Sequence, residues 1–219
     1  MHALHESLRT DRSAFELYET ACAAGERLAK AMGSLAQHGA ESEDALIARL
    51  VSQVGGDGGT LADAAVRRAV IAAIGDVRHI HPELGDAIQA GGSSSGFAWD
   101  ILCDLYQVFF ADIVAEFLRS AVAEHVKLAV PVLIVADPES RIADWVAEKL
   151  VGLVPNPCEE SAEATGLAEA LDTAQSTVDS VQNPADALVG IAQSLVPRAV
   201  GSVLGLVDEG PSSEQGAAA

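Results

Sequence analysis

Apolar residues in this chain recur at steps of three and four and hardly anywhere in strict alternation, and that spacing restricts the fold more than any other feature. A period near 3.6 gathers every third or fourth side chain on one side of an α-helix, whereas a half-buried strand needs every second residue apolar. The clearest case runs from Asp11 to His38. Two adjacent stripes lie there: Phe15, Tyr18, Cys22, Gly25, Ala29, Met32 and Ala36 beside Leu17, Ala21, Ala24, Leu28, Ala31 and Leu35. A face this broad and this rich in Ala predicts close packing against more than one neighbour, and Gly39 ends the helix.

Start and stop signals divide the rest of the chain. Ser42 caps a short helix carrying Leu46, Ile47, Leu50, Val51 and Val54, which the Gly-Gly-Asp-Gly-Gly run from Gly55 terminates. Thr60 and Asp63 have the spacing of a capping box before a helix faced by Val66, Val70, Ile74 and Val77. Pro82 opens a further short helix to Ala90. The Gly/Ser stretch 91–96 reads as a linker between an N-terminal helical subdomain, 1–90, and a C-terminal one, 97–208, or as a mobile loop within one domain.

Phe97 to Lys127 is the most apolar long segment and predicts the central helix of the second half. Its polar residues fall on two faces, Asp100, Asp104 and Gln107 on one and Asp112, Glu116, Arg119 and Lys127 on another, turned by about a third of a circle. A break or π-bulge near Val108 to Ala111 would produce that turn. So would a straight helix whose two halves meet different neighbours, the simpler of the two readings. Asp137 and Pro138 then start a helix carrying Ile142, Trp145, Val146, Leu150 and Leu153, which ends at Pro155 and Pro157. Val132 to Asp137 also admits one strand-to-helix unit of a nucleotide-binding α/β fold, but no GxGxxG and no partner strands accompany it. Glu159 to Val181 is amphipathic, Asn183, Pro184 and Asp186 start a last helix to about Val207, and 209–219 reads as a disordered tail. The expected fold is therefore all-α, a helical bundle of about eight or nine helices.

The formal net charge of −19 repels phosphate backbones, so nucleic acid is excluded as an expected partner. Arg67 and Arg68, with Arg78 nearby, read as solvated surface. Cys22, Cys103 and Cys158 are odd in number and widely spaced, which indicates neither a disulfide framework nor a zinc ribbon. Residues 1–13 lack the apolar core of a secretory signal, and a cytoplasmic protein is the expectation.

Two groups have the residue types of a metal site. His79, His81 and Glu83 could donate three ligands from a turn, and Asp100 and Asp104 lie one turn apart on the central helix. Neither is accompanied by a second ligand pair at a defined spacing, so polar residues at a helix junction and a solvated stripe account for them. GxSxG, GxxxxGK[ST], HExxH and paired ExxH motifs are absent, and neither a cofactor nor a catalytic constellation is expected.

The last helix has one broad apolar face, including Leu188, Leu195 and Val196, opposite a line of small residues, Gly190, Ser194, Pro197, Gly201 and Gly205. Such a seam admits close approach of another backbone, which makes Leu188, Leu195, Gly201 and Gly205 candidate interaction residues. Burial of the seam in the bundle is favoured over a membrane, since Gln193, Pro197 and Arg198 interrupt the segment. The functional expectation is a non-catalytic helical interaction protein, an adaptor, regulator or assembly component that contacts a protein partner or a second copy of itself. The alternatives are a membrane-active protein releasing 128–136 and 187–207, kept open by a mean hydropathy of +0.24, and an enzyme or small-molecule binder with an acidic-lined pocket.

Overall fold

A computed structural model describes residues 10–11, 13–38, 42–56, 58–83, 97–129, 138–163 and 184–206. Among these residues a 3-10 turn at Ala14–Glu16 is followed by six α-helices, α1 Leu17–His38, α2 Glu43–Val54, α3 Leu61–Ile80, α4 Trp99–Ala129, α5 Pro138–Val151 and α6 Pro184–Val203, with further helical turns at 157–163. No strand occurs among the described residues. The expected helix to Ala90, the 91–96 stretch, most of the amphipathic run to Val181, the alternative strand at 132–137 and the tail lie outside them, and the count of eight or nine helices rests partly on those segments.

The local signals explain the starts. Ser42 accepts from the Ala45 N–H at 3.1 Å and begins α2. Thr60 accepts from the Asp63 N–H at 3.0 Å while Asp63 reaches back to the Thr60 N–H, completing the box that begins α3. Thr60→Ala should cost about 1 kcal/mol and Thr60→Ser much less, measured by urea denaturation; equal losses in both would show that the cap contributes little.

The turn between α2 and α3 is held by two arginines. Arg27 of α1 donates to the Val54 carbonyl through Nε and Nη2, at 3.0 and 2.9 Å, and Arg67 of α3 donates to the carbonyls of Gly55 and Gly56 at 3.2 and 2.9 Å. These bonds satisfy carbonyls that α2 leaves open at its C-terminus. Arg67 is thus a clamp, not the solvated surface that a short basic pair suggested. Gly58 has φ +82°, a backbone conformation that favours glycine, and a Cβ there would press on the Arg67 guanidinium.

α4 is the centre of the bundle. α3 and α5 pack along it, α1 packs chiefly on α6, and α2 joins α1 to α3. One apolar core runs through all of these helices, from Leu17 to Leu204, with Tyr106, Phe109, Phe110 and Phe117 of α4 fully buried in it. Residues from both sides of 91–96 share that core. α4 is unbroken, so neither the break nor the π-bulge near Val108 is present. Its polar residues change face because its first half meets the 154–156 segment and the end of α3, whereas its second half meets Arg68 and Asp144.

The seam of close helix approach is on α1 rather than α6. Gly25 lies opposite Val196 and Gly33 opposite Val189, which makes α1 and α6 an antiparallel pair. Ala21, Gly25, Ala29 and Gly33 recur every four residues along that line. On α6, Gly190, Ser194 and Pro197 are exposed, as is Gly205 just beyond it, and only Gly201 of the predicted line is buried. Among the described residues no helix is long and apolar enough to cross a membrane.

Candidate functional site

Charged side chains converge where α3, α4 and α5 meet. Asp112 and Glu116, one turn apart on α4, are 5% and 4% exposed. Glu116 is gripped from two helices: Arg119 donates to its Oε1, and Arg68 Nε of α3 lies 3.3 Å from its Oε2. Arg119 also donates to Asp144 of α5 at 2.8 Å, and Arg68 to Ser120 at 2.5 Å. Among the described residues Asp112 has no comparable partner, and its Oδ2 is buried there without a hydrogen bond. Glu116 Oε2 and Arg119 Nε are likewise buried without hydrogen-bond geometry. Burial, reinforced by the charges of Asp76 and Glu116 against the pull of Arg119, pushes the Asp112 carboxyl up to about 8. The group therefore keeps its proton at neutral pH. The run around these acids is apolar on every side, Ala111, Ile113, Val114, Ala115 and Phe117 all being buried. A helix apolar all round is an enclosed one, and that signal marks Asp112 and Glu116 as interior residues.

A second cluster ties the end of α3 to the start of α4. His81 Nε2 is 2.7 Å from Asp104 Oδ2, and its Nδ1 is 3.0 Å from Glu83 Oε1. The bond to Asp104, with that to Glu83, raises the His81 pKa above its ordinary value despite partial burial. Three of the five metal candidates are thus brought together, but as an ion-paired junction in which both ring nitrogens are engaged. His79 and Asp100 are exposed. Among the described residues, no three His, Cys, Asp or Glu side chains are grouped as a metal ion would require.

The third feature is a polar cleft of about 430 Å³ lined by Gln107, Asn156, Glu159, Glu163, Arg198 and Ser202 among others. Gln107 donates to the Val154 carbonyl at 2.8 Å, and Arg198 pairs with Glu160 at 2.6 Å. Beside it Cys103 and Cys158 form a disulfide with their Cα atoms 6.0 Å apart. The expectation of no disulfide is overturned: 55 residues separate the pair in sequence, and only the return of the chain along α4 brings them together. The expectation of a cytoplasmic protein gains no support from the cysteines. Cys22 remains a free thiol.

The fourth feature is the outer face of α5. Ala143 and Val146 are buried, while Arg141, Trp145, Glu148 and Gly152 recur at steps of three and four on the opposite side. Trp145 is 59% exposed and Leu153, just beyond the helix, 55%. Space beside Gly152 is open. The candidate interaction residues Leu188 and Leu195 are instead buried within the chain's own core, and Gly205, at φ +67°, ends the turn after α6. No family model, curated protein or solved structure matches the chain.

Proposed function

We propose that this protein is a non-catalytic helical interaction protein, and that another protein docks on the outer face of α5. The observation that carries this reading is Trp145, the bulkiest side chain on a helix whose other face already supplies the core. Burying a Trp removes roughly 150 to 250 Å² from water, so an exposed one is a large reserve of binding energy, and Trp is the residue type most enriched where binding energy concentrates. Just beyond the helix Leu153 is also exposed and the space beside Gly152 is open, at the rim where both residues line the polar cleft. A net charge of −19 favours a partner with a basic rim, through faster and better oriented encounter. The paired charges around Glu116 and His81 serve helix packing in this reading, and a role as adaptor, regulator or assembly component follows from the partner. Parallel affinity capture from host extract with wild type and Trp145→Glu tests it. Proteins retained by wild type and lost by the variant are expected; identical capture by both would remove α5 as the docking face.

A further inference from the structure

We propose that the Cys103–Cys158 disulfide is a reversible redox clasp that holds the 155–163 wall of the polar cleft against α4. The proposal is independent of docking at Trp145. The two sulfurs are unequally placed: Cys103 is 1% exposed inside α4, whereas Cys158 is only partly buried beside the cleft-lining residues Asn156 and Glu159. Cys158 Sγ, on the less buried residue, is therefore the sulfur at which a thiolate of a dithiol reductant would attack. Its attack forms a mixed disulfide, breaks the S–S bond and sends the bonding pair to Cys103 Sγ, which takes a proton. The reductant's second thiolate then attacks its own sulfur in the mixed disulfide. Cys158 is released and protonated, and the reductant leaves as a disulfide, two electrons having passed to the protein. The reduced form has a partner in place, because Cys158 Sγ lies 3.4 Å from the Trp99 carbonyl oxygen, to which an S–H can donate.

Without the clasp, the wall keeps weaker ties. The Asn156 amide reaches Gln107 at 3.4 Å, and the Arg198–Glu160 pair joins side chains 62% and 34% exposed, a kind of contact that holds little against water. Reduction should therefore loosen the cleft wall and leave the shared core of α1 to α4 intact. Full-length protein, air-oxidised, reduced with dithiothreitol and reoxidised, would be followed by hydrogen exchange with mass spectrometry, with Cys158→Ser as a second route to the open clasp. Exchange at 154–163 is expected to quicken about tenfold on reduction and in the variant, to recover on reoxidation, and to stay unchanged in α1 and α3. Exchange accelerating throughout the chain would show a structural staple instead, and no change at 154–163, or three alkylatable cysteines in the oxidised protein, would overturn the proposal.

Discussion

The melting temperature of Gly25→Leu is expected to fall by roughly 6 to 12 °C, the equivalent of about 3 kcal/mol for a chain of this size. Gly25 is buried at the crossing of α1, α4 and α6, where a single added Cβ would overlap the Phe110 ring and lie 3.0 Å from Val196 Cγ1. Phe110 cannot give way easily, since it is fully buried and its ring packs edge-on against Tyr106 and Phe109, at 4.9 and 5.5 Å. The Tyr106 hydroxyl in turn donates to the Ala192 carbonyl of α6 at 2.9 Å, so pushing α6 outward disturbs a buried hydrogen bond as well. The better helix propensity of Leu returns only about 1 kcal/mol. Gly190→Ala is the control. Its side chain enters open space on the exposed side of α6, and the melting temperature should rise slightly. A Gly25→Leu variant as stable as wild type, or a Gly190→Ala variant that melts early, would show that the close seam lies elsewhere.

Replacing Asp112 by Asn should raise stability increasingly as pH rises. The folded chain holds the Asp112 proton up to about pH 8, whereas the unfolded chain releases it near the ordinary carboxylate value. The contribution of this group is therefore fully present below the unfolded pKa and is lost progressively as pH rises through the folded one, on the order of several kcal/mol in all. Asp76, Glu116 and Asp144 add repulsion once Asp112 ionises, and Arg119 offsets only part of it. His81 acts in the same direction, its folded pKa being raised by Asp104 and Glu83, so the comparison must be made between Asp112→Asn and wild type at each pH. The difference in melting temperature should be small near pH 5 and reach about 5 °C or more by pH 8.5. A difference independent of pH would mean that Asp112 is ionised in the folded protein across the range.

What the sequence disclosed follows from which interactions are local. The caps at Ser42 and Thr60 and the helices they start depend on residues three positions apart, and the spacing shows them directly. The apolar stripes of α1 and α3 were equally plain, because one turn of helix repeats within a short window. The disulfide was not, since nothing near Cys103 or Cys158 records that the chain returns to α4. Arg67 looked like surface because its acceptors are backbone carbonyls, which have no sequence signature. The glycines of α6 suggest a seam there, yet the regular Ala21, Gly25, Ala29, Gly33 spacing on α1 is the better signal, its four-residue repeat matching one line along a helix. In the sequence Trp145 is one more apolar member of its helix. Its place two positions from Ala143 and one before Val146 sets it opposite the buried side, a geometry that a count of apolar residues conceals.

Covalent footprinting of the folded protein tests docking on α5 most directly. Tryptophan and leucine oxidation by hydroxyl radicals would be compared between purified protein and protein within host extract, read by mass spectrometry residue by residue. Protection is expected at Trp145 and Leu153 in extract, with Ile71 on the exposed face of α3, 50% exposed, labelled equally in both. Equal labelling of Trp145 in both samples, or protection at Ile71 alone, would contradict the account.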